Sequence, residues 1–267
     1  MKHNLKITFL LILLFFAAHV IGLVVLDSYQ VKEYPYGFTP PEIEHPIVSL
    51  VDIVVTIAII TVIVLLLVRF RARRLWRLWF FISLVVTLLL GFSAFIPKEY
   101  ALGLAFGLAL WRVLKNNVYL HNFTEMFVYG GLASLFVPIL NLFSIIVLLI
   151  VISVYDYWAV FKSKHMIKMA KFQSENKVFA GLFIPYGRKT AILGGGDIGF
   201  TLLFSGVIFM DYGFIPALIT SLFAAGGLLL LLMLGRKNRY YPAMPFLTAG
   251  CFIGFGVVYL LHFFGVA

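Results

Sequence analysis

The sequence is poor in charge and has almost no cysteine, and these two scarcities exclude several classes of protein. Only 12% of its residues are charged, whereas 63% are hydrophobic and 17% are aromatic. A soluble domain has about 25% charged and about 45–50% apolar residues, so a soluble enzyme and a disordered chain are both excluded. The single cysteine, Cys251, allows neither an intramolecular disulfide nor a metal site built from several cysteines.

Long apolar runs occupy most of the chain, and they predict an all-α membrane protein with nine transmembrane helices. A helix needs about 20 mostly apolar residues to cross a bilayer. Pro138 and Asn141 divide one run that would be too long for a single span. The predicted spans are 5–26, 47–68, 78–96, 100–113, 123–138, 140–161, 191–210, 213–235 and 242–265.

These spans predict one membrane-embedded domain over residues 1–267. Spans one to six lie in 1–161, a polar loop occupies 162–190, and spans seven to nine lie in 191–267. The first apolar run is longer than the 7–15 residues typical of a signal peptide, and no clean cleavage site follows it. We therefore favour a retained first span over a removed signal peptide.

The distribution of basic residues supports the span count and gives an orientation. If all nine spans are real, 19 of the 21 lysines and arginines lie on one side, and only Lys32 and Lys98 lie on the other. Basic residues gather in cytoplasmic loops, so the N-terminus is predicted to be cytoplasmic and the C-terminus outside. The net charge of +10 then follows from topology in the cell membrane, with the lipid bilayer as partner and no nucleic acid.

Two carboxylates lie within apolar spans, where an ionisable group is costly and is a functional candidate by default. Asp156 lies six residues before Lys162, and Asp197 lies eight residues after Lys189. At about 1.5 Å per residue, the two are roughly 9 and 12 Å from the basic residues on the same side. If the sixth and seventh spans pack together, both carboxylates lie at one level.

Facing carboxylates support three interpretations. A pair that shares one proton can activate water and polarise a carbonyl, as in an aspartyl protease. The same pair can instead bind an ion or a proton in a transporter. The third interpretation is two unrelated aspartates, each hydrogen-bonded to a neighbouring helix.

The residues around the aspartates favour the protease. Asp197 follows Gly194-Gly195-Gly196, and three glycines at the start of a helix suit a backbone that unwinds or lets another backbone approach. The segment Pro242-Ala243-Met244-Pro245 opens the last span from the same side. Its two prolines leave backbone acceptors without donors and disfavour regular helix nearby.

Together these residues resemble the presenilin and signal peptide peptidase family of intramembrane aspartyl proteases. The family pattern has Tyr-Asp in the sixth span, Gly-x-Gly-Asp in the seventh and Pro-Ala-Leu-Pro at the ninth. Tyr155-Asp156, Gly194-Gly195-Gly196-Asp197 and Pro242-Ala243-Met244-Pro245 lie in these spans, with Met244 in place of leucine. The short chain is most similar to archaeal presenilin homologues, and its predicted orientation is that of presenilins.

The resemblance implies a catalytic dyad of Asp156 and Asp197 that hydrolyses peptide bonds within transmembrane segments. It also implies supporting roles for Tyr155, for Gly194 and Gly196, and for the Pro242–Pro245 segment. We expect transmembrane peptides as substrates, no metal or organic cofactor, and no obligate protein partner. The alternative is an ion channel or a proton-coupled transporter that uses the buried aspartates. Prepilin peptidases, which share Gly-x-Gly-Asp, are a more distant resemblance.

Two other patterns give structural expectations. Residues 178–184 are an apolar stretch in a basic loop, predicted either to lie at the membrane interface or to form a strand that pairs with substrate. Gly103–Gly107 and Gly250–Gly254 have the spacing of small residues at helix interfaces. We interpret both as packing within the chain in preference to a dimer interface.

Overall fold

A computed structural model describes residues 4–40, 55, 59, 73–115, 117–163, 180–187, 189–235 and 241–265. Within these ranges the chain forms eight α-helices and one β-hairpin. The helices are α1 (Leu5–Ser28), α2 (Arg73–Ser93), α3 (Lys98–Leu114), α4 (Val118–Phe136), α5 (Leu142–Trp158), α6 (Gly195–Tyr212), α7 (Phe214–Leu234) and α8 (Met244–Phe263). The hairpin consists of β1 (Gly181–Tyr186) and β2 (Lys189–Gly194).

Each of the eight helices falls at a predicted span. The second predicted span, 47–68, lies outside the described residues except for helical Val55 and Ile59, so the count of nine and the orientation stay predictions. Four described helices are long and apolar enough to cross a membrane: Leu5–Ser28, Leu142–Phe161, Phe214–Leu234 and Met244–Phe263. The mean hydropathy of their apolar windows is between 1.9 and 2.9, as expected of segments that face lipid.

The seventh span is where the prediction needs correction. The apolar run that starts at residue 191 was predicted to be helical, but residues 189–194 form β2, and the helix begins at Gly195. A short apolar run has no periodicity that separates strand from helix, and only its pairing with β1 decides. The hairpin also makes the fold less uniformly helical than predicted.

The predicted break between the fifth and sixth spans is confirmed. Helix α4 gives way to a 3₁₀ turn at Val137–Ile139, which contains Pro138. Asn141 then caps α5, because its side-chain oxygen accepts a hydrogen bond from the backbone N–H of Ser144 at 2.8 Å. The two residues therefore end one helix and begin the next.

Helix α1 packs with one face against α4, α6 and α7. Its side chains Leu11, Phe15 and Leu23 are almost completely buried in the main hydrophobic core. A polar contact adds to this packing, since His19 of α1 lies 3.1 Å from the hydroxyl oxygen of Thr201 on α6. Helix α6, which carries Asp197, is thus held from the side by the buried face of α1.

Glycines bring α7 and α8 into close contact. A Cβ atom added at Gly250 would lie 2.4 Å from the carbonyl oxygen of Phe223, and one at Gly254 would lie 2.9 Å from the Cα atom of Thr220. The second small-residue motif is therefore used for packing within the chain, as predicted. At Gly103 and Gly107 an added Cβ would meet no described atom within 4 Å, so the packing interpretation stays a prediction there.

Substitution at these glycines should separate the two motifs. We expect Gly250→Ala to lower the free energy of unfolding by roughly 1–3 kcal/mol, because the methyl group would force α7 and α8 apart. The matched change Gly107→Ala adds the same methyl group to open space and should cost nothing, since alanine favours helix over glycine by about 1 kcal/mol. Thermal unfolding of both variants in one detergent measures this difference. Equal midpoints would contradict the packing assigned to Gly250.

Candidate active site

Three helix ends meet where the sequence places its candidate catalytic residues. Asp156 lies near the end of α5, Asp197 lies in the first turn of α6, and Met244 is the first residue of α8. The three helices pack against one another in pairs. The motifs of the sixth, seventh and ninth predicted spans therefore belong to one cluster of helices.

Asp156 contacts the start of α8 directly. One oxygen of its carboxylate, Oδ2, accepts a hydrogen bond from the backbone N–H of Met244 at 3.0 Å, and the side chain is buried, with 6% exposure. The first N–H groups of a helix lack partners within the helix, and Pro242 and Pro245 carry no N–H at all. Asp156 thus acts as a cap for α8 from another helix, and the positive end of the α8 dipole faces its carboxylate.

Two further contacts fix how α5 and α6 align with α8. One turn before Asp156 along α5, the hydroxyl of Ser153 lies 2.8 Å from that of Thr248 on α8. One turn further along the same face of α8, the ring of Phe252 lies 5.8 Å from that of Phe204 on α6.

These contacts set the level of Asp197. Asp197 lies about two turns before Phe204 in α6, and Pro245 lies about two turns before Phe252 in α8. The two helices run in the same direction, because Tyr212 near the end of α6 contacts His262 near the end of α8. Asp197 is therefore at the level of Met244 and Pro245, which is also the level of Asp156.

Asp197 is half-buried, and its immediate surroundings depend on two of the three glycines. A Cβ added at Gly194 would lie 3.3 Å from Oδ2 of Asp197 and would crowd its carboxylate. A Cβ at Gly195 would lie 2.9 Å from the hydroxyl oxygen of Tyr129. At exposed Gly196 an added Cβ makes only an ordinary contact with Phe200, at 3.6 Å. A close backbone approach thus occurs at Gly195, where an added Cβ would lie 3.2 Å from the carbonyl oxygen of Ala180, and this requirement was missed from the sequence.

The supporting residues differ in their placement. Pro242 and Met244 are buried, and Ala243 and Pro245 are half-buried, at the start of α8. Tyr155 instead has 52% of its side chain exposed, with its ring 6.3 Å from that of Trp158. Consecutive residues on a helix point about 100° apart, so Tyr155 does not share the face of Asp156. Its supporting role near the dyad stays a prediction.

A buried ion pair lies behind the hairpin and was not expected. Arg112 of α3 donates to the carboxylate of Glu125 on α4, and the two residues are 7% and 1% exposed. Arg112 lies at the end of the fourth predicted span and was counted among the basic residues on the predicted cytoplasmic side. Two charges near helix ends look like separate surface groups until the helices are known to be neighbours. Glu125 also acts electrostatically on Tyr129, whose hydroxyl lies against Gly195.

Comparisons with known proteins give one family match. The family profile "Signal-peptide peptidase, presenilin aspartyl protease" matches residues 11–196, which is more than half of the chain and includes Asp156. No curated protein matches the chain.

Two solved structures share its fold. A presenilin family intramembrane aspartate protease in space group C222 superposes with a TM-score of 0.71 at 22% identity, covering 95% of this chain and 99% of that one. A structure of a presenilin family intramembrane aspartate protease in space group P2 superposes with a TM-score of 0.68 at 23% identity, covering 94% of this chain and 96% of that one. With the family match, the likeness along nearly the whole length identifies this chain as an integral multi-pass membrane protein of the signal-peptide peptidase and presenilin family of aspartyl proteases.

Proposed function

We propose that the protein hydrolyses peptide bonds within the transmembrane segments of other membrane proteins, using Asp156 and Asp197 as its catalytic dyad. The observation that carries this proposal is the buried carboxylate of Asp156 at the start of α8, at the level of Asp197. An ionisable group in a membrane span is costly, and two at one level are best explained by a shared task.

The chemistry follows from two carboxyl groups that share one proton. Like charges at close range cannot both ionise cheaply, so one group stays protonated while the other is a carboxylate. The carboxylate takes a proton from a water molecule as that water attacks the scissile carbonyl carbon. The protonated partner donates a hydrogen bond to the carbonyl oxygen, and a proton is later delivered to the leaving nitrogen. Either aspartate can begin as the base.

The start of α8 orients this dyad. The hydrogen bond from the Met244 N–H holds Oδ2 of Asp156, and the backbone of Ala243 also hydrogen-bonds to this carboxylate. Since Pro245 follows Met244, the next residue offers no competing N–H to the carboxylate. The Pro242–Pro245 segment therefore fixes the rotamer of Asp156 without contributing a titratable group.

The hairpin offers a docking edge for an extended substrate. Cleavage needs an accessible amide, and a helix hides its amides, so a substrate must be extended at the scissile bond. Strand β1 pairs with β2 in antiparallel register, with Phe183 opposite Ile192. The backbone N–H and C=O of Phe183 bond to the side chain of Asn122, so they point away from β2. Residues directly opposite each other in an antiparallel pair share this orientation, so the N–H and C=O of Ile192 point away from β1.

These bonds distinguish the two edges of the hairpin. The outer edge of β1 is occupied by α4, whereas no described residue pairs with the outer edge of β2. Of the apolar stretch 178–184, residues 178–179 lie outside the described residues and Gly181–Ile184 form part of β1, whose outer edge is closed. We therefore place the substrate strand on β2, at the N–H and C=O groups of Ile192, immediately before Asp197.

Loss of either carboxylate should abolish cleavage. Asp156→Asn keeps the shape of the side chain and an acceptor for the Met244 N–H, so the variant should fold. It cannot exchange a proton with water, and we expect cleavage to fall by about 10²-fold or more, as for Asp197→Asn. The measurement uses purified protein in liposomes with a single-span peptide, and mass spectrometry identifies the products.

The same liposomes distinguish the alternative function. A channel or transporter would give an ion flux that is lost in both variants, with no peptide product. Cleavage that survives either substitution would show that the dyad is assigned to the wrong residues.

The β2 edge can be tested with a proline. Ile192→Pro removes one N–H that points away from β1 and leaves the bonds within the hairpin, and edge strands tolerate proline at such positions. We expect the KM for the peptide to rise by about tenfold, from the loss of one backbone hydrogen bond and its neighbours. Ile192→Val, which keeps the N–H, is the matched control. An unchanged KM in the proline variant would argue against substrate pairing on β2.

A further inference from the structure

Asn122, in the second turn of α4, binds the hairpin as if it were a third strand. Its side-chain amide donates to the carbonyl oxygen of Phe183 at 2.8 Å, and its side-chain oxygen accepts from the N–H of Phe183 at 3.1 Å. Both polar groups of one backbone residue are thus satisfied by one side chain. A carboxamide is the side chain that can donate and accept in this way from a single position.

The neighbouring residue holds the beginning of the same strand. Nε2 of His121 lies 2.7 Å from the carbonyl oxygen of Gly181. A carbonyl oxygen only accepts, so Nε2 carries the proton of this hydrogen bond. The imidazole ring also packs on the ring of Phe183, with centroids 4.3 Å apart. Three polar contacts and one ring contact therefore join two consecutive residues of α4 to β1.

The part of α4 that carries His121 and Asn122 is held in place by a buried ion pair. The carboxylate of Glu125 lies one turn along α4 from His121 and is held by Arg112 of α3. Arg112 also donates to the hydroxyl oxygen of Thr124 at 2.9 Å, and Thr124 and Glu125 are almost completely buried. A buried, paired charge fixes its partners because moving either one would leave the other without compensation. The first turns of α4 are thus locked to α3 on the face next to the hairpin.

The attachment extends along the backbone to the aspartate. Strand β1 is bonded to β2, and β2 continues without a loop into α6, whose third residue is Asp197. The N–H of Gly195 also donates to the carbonyl oxygen of Ala180, just before β1, at 3.1 Å. Any shift of β1 relative to α4 would therefore move β2 and the first turn of α6 with it.

We infer that Asn122, supported by His121, is a positioning residue that sets the hairpin, and hence the substrate strand on β2, relative to the dyad. This inference rests on the proposed function. It assigns to α4 a part in choosing the scissile bond, although α4 carries neither aspartate. Asn122 touches neither the substrate nor the reacting atoms, and it acts through the backbone of Phe183.

The two hydrogen bonds between Asn122 and the backbone of Phe183 act as a clamp between α4 and β1. Removing this clamp should affect substrate binding and cleavage precision more than the chemical step. We expect Asn122→Ala to raise the KM by about tenfold, since two backbone hydrogen bonds are lost. The kcat should change less than threefold, and products should appear from bonds next to the main site. Asn122→Asp keeps the acceptor for the Phe183 N–H but loses the donor, so its KM should be intermediate.

The control must separate the clamp from the stability of α4. Asn117 caps the same helix, with its side-chain oxygen accepting from the N–H of Tyr119 at 2.9 Å, and it does not bond to the hairpin. Asn117→Ala should cost α4 about 1 kcal/mol of stability and leave the product pattern unchanged. Hydrogen exchange of the Phe183 amide provides a readout that needs no activity, and exchange should accelerate in Asn122→Ala but not in Asn117→Ala.

The outcomes separate this inference from the proposed function. If the wild type cleaves and Asn122→Ala gives the same KM and the same products, the positioning role is wrong. An identical effect of Asn117→Ala would also overturn it, because general destabilisation would then suffice. If the wild type cleaves no peptide, the proposed function fails. Slow exchange of the Phe183 amide in Asn122→Ala would still refute the clamp, even if that variant is inactive.

Discussion

The hydrogen bond between Asp156 and the N–H of Met244 is the contact on which the arrangement of the site depends. It joins the end of α5 to the start of α8, and Asp156 and Met244 are both buried. An uncapped helix start inside a bundle is costly, and so is a lone carboxylate. The carboxylate of Asp156 caps the start of α8, and the N–H of Met244 gives that carboxylate a hydrogen-bond donor. The two flanking prolines have no N–H, so they add no donor that would need a partner.

The second constraint is the direct continuation of β2 into α6. A hairpin in a membrane protein needs partners for its edge groups, because an unpaired backbone group in an apolar setting costs several kcal/mol. Asn122 and His121 supply these partners along β1. The hairpin is thus attached to α4 on one side and to Asp197 at its end, so two distant parts of the chain define one site.

The positions of the helices and the identity of the aspartates were predictable from the sequence. The bilayer requires apolar runs of a certain length, and such runs are visible without any knowledge of packing. The same requirement makes Asp156 and Asp197 conspicuous, since few charges interrupt these runs. The break at Pro138 and Asn141 was also predictable, because proline and a capping residue act locally. These features depend on solvent and on near neighbours in the chain.

The hairpin edges, the pairing of Arg112 with Glu125 and the close approach at Gly195 were decided by the tertiary structure alone. Each depends on which distant segment packs alongside, and neither a short apolar run nor a single charge indicates which segment that is. Residues 191–194 were therefore predicted to be helical, although pairing with β1 makes them part of a strand. The sequence by itself determined a multi-span membrane protein with two aspartates inside apolar segments, in a recognisable order. Only the packing of α4 and α8 around them decided which atoms hold those aspartates in place, because hydrogen bonds between distant segments form only in the folded chain.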